Sequence, residues 1–210
     1  AALLMALPAS EAVVALINRL ISESAKPQHL PRLALSGGIP PEHRVMVVIP
    51  AMLSDPRAID ALGHRLELHY LANQEPCAQF ALLSDWLDAD TEQTPNDAAL
   101  LARAIAQIDR LNALYPFAAT DSAPRFILLH RNRLFSQTEQ RWIGWERKRG
   151  KLESLVASLA GNAAPVFLAL GERSRCASAT RYIVTLDSDT ELPPGRLREL
   201  VGVAAHPHNQ

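Results

Sequence analysis

The sequence has few cysteines and almost no net charge, and each of these properties argues against a class of protein. Among 210 residues there are two cysteines, Cys77 and Cys176, with no Cys-x-x-Cys spacing and no clustered histidines. Such isolated thiols are typical of a reduced, cytosolic protein, and they argue against a zinc site. The formal net charge of −1 argues against a general nucleic-acid-binding protein, so we expect no nucleic-acid partner.

Long apolar runs are absent as well. The most apolar segment, residues 1–21, is interrupted by a proline, an asparagine and two charged residues, so it does not qualify as a membrane-spanning helix by itself. It also lacks the positively charged start of a signal peptide. Two interpretations remain open for this segment: the end of a membrane-associated region, or an amphipathic helix packed on the domain that follows.

The composition divides the chain into two parts. Residues 26–42 contain four prolines and two glycines, which is typical of a linker. We therefore expect residues 1–40 to form an apolar helix and a Pro/Gly linker, with a juxtamembrane position as one option. Residues 41–210 would form one α/β domain, for which a hydrophobic content of 48% is sufficient. Because the chain begins without methionine and ends abruptly, we expect it to be cut from a longer protein.

Through this domain, apolar runs typical of strands alternate with helical patterns. Strands are predicted at residues 45–49 (stopping at the proline that follows), 79–85, 125–130 and 182–186, with a weaker candidate at 166–170. Helices are predicted from residue 56, behind a Ser-Asp-Pro start signal, from residue 94, from the capping-box pattern at 136–139 to about residue 159, and at 195–204. The alternation predicts an open, mostly parallel sheet with right-handed crossovers.

The strand ends carry the candidate site. In open α/β sheets, ligands bind beyond the carboxyl ends of the strands. Pro50, Asp85, His130 and Asp187 all stand at those ends. We therefore expect the fold to bring these four positions together on one rim.

The last predicted strand runs directly into two carboxylates, Asp187 and Asp189. On a strand, residues i and i+2 point to the same side, so these side chains would converge. Two carboxylates held that close repel each other unless a cation lies between them. Mg²⁺ bound to substrate phosphates is the usual cation in such a site. Taken alone, Asp-x-Asp is equally typical of a solvated turn.

Basic residues are concentrated in one stretch. Between residues 125 and 151, eight arginines and lysines stand against two glutamates, whereas Arg103 is the one basic residue between 85 and 109. A basic surface facing an acidic metal site suits a small phosphorylated ligand, and a solvated helix face explains the run equally well. Likewise, Arg131 and Arg133 are predicted either to line the phosphate side or to lie in a surface loop.

The order of these motifs resembles that of processive GT-A glycosyltransferases of the cellulose-synthase type. It is closer still to the glycosyltransferase domain of the cyclic β-1,2-glucan synthases, over about residues 44–209. The matching strings are Val-Ile-Pro-Ala-Met-Leu at 48–53, Leu-Ser-Asp-Trp at 83–86, His-Arg-Asn-Arg at 130–133, Gly-Trp-Glu-Arg-Lys-Arg-Gly-Lys-Leu at 144–152 and Ala-His-Pro at 205–207. The longest string is far more specific than Asp-x-Asp.

The resemblance implies a GT-A-type, Rossmann-like α/β fold, with a mostly parallel sheet flanked by helices and incomplete at its C-terminus. It implies the donor-binding part of an inverting, metal-assisted hexosyltransferase that moves glucose from UDP-glucose to a growing β-1,2-glucan acceptor. Flanking regions would hold the protein in the bacterial inner membrane, with this domain on the cytoplasmic side. No catalytic residue is expected in this segment, because the family's general base lies downstream of the metal pair.

The resemblance also implies roles for individual residues. Pro50 and Ala51 would border the nucleotide, and Asp85 would meet the uridine. Asp187 and Asp189 would hold Mg²⁺ or Mn²⁺ on the diphosphate of the substrate.

The longest string resembles the Lys-x-Gly-x-Leu-Asn element of cellulose synthases, in which Lys148 would approach the nucleotide sugar. This chain has Glu153 where that element has asparagine, so the finer contacts differ. Trp142 and Trp145 are three positions apart in the predicted helix, and we expect them to pack in the core rather than to form a sugar platform.

Two alternatives compete with this interpretation. A HAD-type phosphatase also has an apolar strand followed by Asp-x-Asp-x-Thr/Val. Here, however, Glu191 occupies the fifth position of that motif, three strand–helix units precede the motif, and we expect too little chain after it. The other alternative is a non-catalytic GT-A-like segment that binds a nucleotide or serves as a scaffold for a larger membrane protein.

Overall fold

The computed structural model of the chain describes residues 2–24, 30–116, 123–162 and 166–209. Five α-helices and six strands follow one another in these residues, together with three short 3-10 turns. In chain order the elements are α1 (Ala2–Ser24), β1 (Val45–Leu53), α2 (Pro56–Ala72), β2 (Ala78–Trp86), α3 (Asp97–Leu114), β3 (Phe126–Arg131), β4 (Leu134–Ser136), β5 (Arg141–Ile143), α4 (Arg147–Leu159), β6 (Tyr182–Thr185) and α5 (Arg196–Ala204).

The main sheet has four parallel strands in the order β3-β2-β1-β6. Parallel neighbours need crossover connections, and α2 and α3 supply them between β1, β2 and β3. All carboxyl ends of these strands therefore lie along the same edge. The predicted α/β class and parallel sheet are confirmed.

The two faces of the sheet are covered by different helices. Alternate residues of β1, such as Val47 and Ile49, pack in a cluster with buried side chains of α2, α3 and α5. The residues between them, Met46 and Val48, pack with Leu155 of α4. Burying each large apolar side chain stabilises the fold by about 1.5–3 kcal/mol. Both faces of β1 up to Ile49 and of β2 are buried, which is why residues 45–49 and 80–83 are continuously apolar.

The predicted start of α2 is confirmed. The Asp55 carboxylate accepts hydrogen bonds from the backbone N–H groups of Arg57 and Ala58 at 2.9 and 3.0 Å, and Pro56 occupies the first helical turn. These bonds, chiefly the one from Ala58, lower the pKa of Asp55. The helix therefore begins directly behind β1 and forms one side of the sheet's carboxyl edge.

The sequence predicts that the first strand stops at Pro50. In the structure this strand continues to Leu53. Alternate residues of a parallel strand bond to opposite neighbours. Val48 accepts from Leu186 on the β6 side at 2.9 Å, so Pro50, two residues further on, also faces that side. Lacking an N–H, Pro50 ends the pairing with β6 only. Pairing with β2 continues through Ala51 and Leu53.

The start that the capping-box pattern at residues 136–139 predicts for the next helix is wrong, whereas its predicted end at about residue 159 is confirmed. Ser136 ends β4, and its Oγ accepts from the Glu139 N–H at 3.2 Å inside a hairpin turn. A serine hydroxyl can satisfy a turn as well as a helix start. The cross-strand contact of Phe135 with Trp142, 5.6 Å between ring centroids, favours the hairpin. The helix, α4, begins only at Arg147.

The weaker strand candidate at residues 166–170 is not a strand, and Phe167 makes a single antiparallel bridge to Arg131. From the sequence, two interpretations are open for residues 1–21. Of the residues whose burial is described, 10–24 of α1 are all exposed and do not pack on the domain. Among the helices in the described part of the chain, none is both long enough and apolar enough to cross a membrane.

Candidate functional site

A cavity of about 480 Å³ lies at the carboxyl edge of the sheet. This volume is in the range of small-molecule sites. Its walls come from the end of β1, the end of β2, the first turns of α2, the start of α4 and the turn after β6. Among the predicted site residues, Pro50, Ala51, Asp85 and Lys148 all line it.

The two predicted metal ligands lie in a turn and not on the strand. β6 ends at Thr185, and the Thr190 N–H donates to the Asp187 carbonyl oxygen at 3.0 Å. The alternation of a strand therefore does not determine where the two carboxylates point. Both are exposed, and Ser188 between them lines the cavity. The turn thus places Asp187 and Asp189 beside the cavity wall.

Lys148 connects this turn to α4. Its Nζ donates to Asp187 Oδ1, and both side chains are about half exposed, at 51% and 56%. An exposed pair of this kind contributes only about 0–1 kcal/mol. It is therefore easily exchanged for contacts with a ligand or a metal ion.

The donor set of the turn fits a hard divalent cation. Carboxylate oxygens are the ligands that Mg²⁺ and Mn²⁺ prefer, and a lysine ammonium already neutralises Asp187. Within residues 2–24, 30–116, 123–162 and 166–209, no group of three or more His, Cys, Asp or Glu side chains could hold a metal ion. Asp187 and Asp189 would therefore need phosphate oxygens of a ligand to complete the coordination.

Asp85 is buried in the cavity wall with two cations on its carboxylate. Arg131 binds it with two hydrogen bonds, Nε to Oδ1 at 2.9 Å and Nη2 to Oδ2 at 3.1 Å. Lys151 Nζ lies 3.1 Å from Oδ2. Together, the one carboxylate and its two basic partners carry a net positive charge next to the cavity. Removing one partner from a buried ion pair typically costs about 3–5 kcal/mol, so the three side chains stabilise one another.

Sequence reasoning missed Lys151. Its side chain is 3% exposed, it lines the cavity, and its Nζ donates to the Ala51 carbonyl oxygen at 2.6 Å. Burial lowers the pKa of Lys151, and the neighbouring Asp85 opposes that shift. One signal was present: Lys148 and Lys151 are three residues apart, which places them on the same face of α4.

The start of α4 has an unusual backbone. Glu146 and Arg147 both have positive φ, 50° and 45°, a conformation that is costly for residues other than glycine. Arg131 Nη2 donates to the Trp145 carbonyl oxygen at 3.0 Å and holds this segment. A Cβ on Gly150 would collide with the Trp145 carbonyl and would lie 2.7 Å from its ring. The close approach of these groups determines how α4 presents its lysines to the cavity.

Neither prediction for the two arginines is correct, because both are buried in ion pairs. Arg131 pairs with Asp85, and Arg133 donates through Nη2 to Asp97 Oδ1 at 3.1 Å. Burial opposes ionisation of Asp97, but hydrogen bonds from Arg133 and Thr94 outweigh it and lower its pKa to about 2. These arginines hold the loops after β2 and β3 in place and do not line the cavity.

The predicted core position is wrong for Trp145, which is 47% exposed. Trp142 is half-buried in β5 and packs on Phe135 of the hairpin. Neither residue lines the cavity.

His130 is also predicted to lie on the rim with Asp85, but the structure places it on the opposite face of the sheet. It is fully buried, shares a 2.8 Å hydrogen bond between its Nδ1 and Ser84 Oγ, and packs edge-on against Trp86. Burial lowers its pKa to about 4. His130 therefore remains neutral at neutral pH and does not reach the cavity.

This pKa predicts an acid sensitivity. Between pH 6.5 and about 4 the unfolded chain takes up a proton at His130 that the folded chain does not, so the free energy of unfolding falls as the pH is lowered through this range. We expect a loss on the order of 3 kcal/mol. Urea unfolding at a series of pH values measures it, and His130→Gln should give a shallower slope. An unchanged slope in that variant would contradict the assignment.

Comparison with known proteins places these features in a family context. No family model matches the chain. The cyclic beta-(1,2)-glucan synthase NdvB of Rhizobium meliloti (strain 1021) is 41% identical to it over 208 residues, which are 99% of this chain. The chain spans only 7% of the length of that protein. By sequence, then, this chain is a relative of one segment of a cyclic β-(1,2)-glucan synthase, as its motif strings predict.

Proposed function

We propose that this chain is the donor-binding part of a glycosyltransferase that moves glucose from UDP-glucose to a growing β-1,2-glucan. The observation that carries the proposal is the cationic cavity at the carboxyl edge of the sheet, with an acidic turn at its wall. The identity with a segment of NdvB supports the same activity class.

The charge of the cavity suits a diphosphate. Four of its lining side chains are basic, Arg65, Arg147, Lys148 and Lys151, and two are acidic, Asp85 and Asp88. Charge-assisted hydrogen bonds from lysine and arginine are a common means of binding phosphate oxygens. The excess of positive charge favours an anionic ligand over a neutral sugar alone.

The ligand would lie along the edge of the sheet. Pro50 and Ala51 would border the nucleotide, and Asp85 would contact its uridine. Asp187 and Asp189 would hold Mg²⁺ or Mn²⁺ beside the phosphates. A metal bound there would stabilise the negative charge that develops on the leaving diphosphate. Lys148 is close enough to Asp187 to bind the same phosphates when its ion pair opens.

Transfer with inversion also needs a general base for the acceptor hydroxyl. Both carboxylates that line the cavity are already paired, Asp85 with Arg131 and Lys151, and Asp88 with Arg147. We therefore expect the base elsewhere in the full-length protein, so that this segment alone is inactive. We also propose that flanking regions hold the protein in the bacterial inner membrane, with this domain on the cytoplasmic side.

The proposal predicts that UDP and UDP-glucose bind only in the presence of Mg²⁺ or Mn²⁺. Two carboxylates beside a diphosphate repel it unless a cation lies between them. Isothermal titration calorimetry of the full-length protein, with metal and with EDTA, tests this prediction. Equal affinity under the two conditions would remove the metal role from Asp187 and Asp189.

A second prediction concerns catalysis. In the full-length protein, Asp189→Ala should abolish glucose transfer from radiolabelled UDP-glucose while leaving the folded fraction unchanged, because Asp189 is exposed. The matched control is Asp109→Ala, whose exposed pair with Arg173 lies outside the cavity; it should retain activity. Wild-type turnover by Asp189→Ala would count against the site. Release of phosphate from a simple phosphomonoester would instead favour the phosphatase alternative.

A further inference from the structure

The acidic turn, which comprises residues 187–191, lies between two buried leucines. Leu186 and Leu192 are each 6% exposed, whereas the residues between them are all exposed. The Leu186 N–H donates to the Val48 carbonyl oxygen of β1 at 2.9 Å, so the first end of the turn is fixed to the sheet. The second end lies beyond β6 and before α5, which begins at Arg196. Contacts outside the sheet must therefore hold it.

Asn73, which directly follows α2, holds this second end. It is 3% exposed, and its Nδ2 donates to the Leu192 carbonyl oxygen at 3.2 Å and to the His69 carbonyl oxygen at 3.5 Å. Its Oδ1 accepts from the Leu197 N–H at 3.1 Å. Both ends of this buried amide are thus bonded to backbone groups, two of which lie in the segment that follows the acidic turn.

The bond to Leu197 takes the place of a helix cap. Helix α5 begins behind Gly195, which has a φ of 75° and no side chain that could accept from the first turn. A capping side chain normally accepts from the second or third backbone N–H of its helix, and Leu197 is the second residue of α5. Asn73 supplies that acceptor from 124 residues away, and the Gly195 N–H donates to the Ala72 carbonyl oxygen at 3.3 Å. The start of α5 and the end of the acidic turn are therefore tied together to α2.

We propose that Asn73 is a positioning residue that preorganises the acidic turn for a divalent cation. This inference rests on the proposed function, since it takes Asp187 and Asp189 as ligands of the cation. Two carboxylates on a free loop lose conformational entropy when a cation orders them, whereas a turn fixed at both ends has lost much of that entropy on folding. Asn73 does not line the cavity, so it acts through the turn and not by contact with the ligand.

Asn112 of α3 offers a matched control. Its Nδ2 donates to the Phe126 carbonyl oxygen at 2.8 Å, and its Oδ1 accepts from the Phe126 N–H at 2.9 Å. Phe126 begins β3, so this clamp lies at the amino edge of the sheet, away from the cavity. Removing either amide leaves backbone groups without their partner, and both alanine variants should be less stable. Only Asn73→Ala releases the acidic turn.

The test measures Mn²⁺ binding to the full-length protein at saturating UDP, from the electron paramagnetic resonance signal of free Mn²⁺. At a temperature where circular dichroism shows both variants folded, Asn73→Ala should weaken Mn²⁺ binding about tenfold, and Asn112→Ala should leave it unchanged. Equal losses in the two variants, or no loss in Asn73→Ala, would overturn the inference.

Glucose transfer supplies a second readout. The Mn²⁺ concentration that gives half-maximal transfer should rise about tenfold in Asn73→Ala, while the rate at saturating Mn²⁺ stays close to that of the wild-type protein, because the turn can still be ordered by the cation. A lower maximal rate with an unchanged Mn²⁺ requirement would contradict the positioning role.

A third measurement uses the wild-type protein and does not depend on the folding of a variant. The first N–H groups of a helix have no intrahelical partner, but the Leu197 N–H is bonded to Asn73. Hydrogen exchange resolved to single amides should show this N–H protected before any metal or nucleotide is added. Rapid exchange in the metal-free protein would contradict the inference while leaving the proposed function intact. Failure of the wild-type protein to bind UDP with Mn²⁺ would instead reject the proposed function, and the inference with it.

Discussion

The site depends on one buried interaction, the pairing of Asp85 with Arg131 and Lys151. The three residues come from β2, β3 and α4, and Lys151 extends the contact to β1 through the Ala51 carbonyl oxygen. A carboxylate buried without cations would be strongly destabilising. The network therefore fixes four elements relative to one another at the edge where the cavity opens. It also holds Lys151 at the cavity wall.

A second constraint lies in the approach to α4. The chain reaches the helix through two residues with positive φ, Glu146 and Arg147, and then passes close to Gly150. Strained backbone of this kind persists only where surrounding contacts determine it, and here Arg131 supplies the contact. The energetic cost is offset by the ion pairs that the resulting position of α4 permits. The longest motif string, residues 144–152, thus has a structural role, because it positions Lys148 and Lys151 in the wall of one cavity.

Much of the fold could be predicted from sequence because its signals are local. Continuous apolar runs gave the parallel strands, and Asp55 before Pro56 gave the start of α2. The failures have different physical causes. A Ser-x-x-Glu pattern serves a hairpin turn as well as a helix start, and the contact of Phe135 with Trp142 decides between them. No window of sequence contains the pairing of Asp85 with Arg131, which are 46 residues apart.

We propose that the nucleotide of the donor binds in this cavity and not on another surface of the described part of the chain. Photolabelling with 5-azido-UDP-glucose in the presence of Mn²⁺, followed by mass spectrometry of the labelled peptides, tests it directly. We expect unlabelled UDP to compete with the label, and the label to lie on residues 50–54, 85–88 or 144–151. A label confined to the β4–β5 hairpin or to α5, with these cavity segments unmodified, would contradict it.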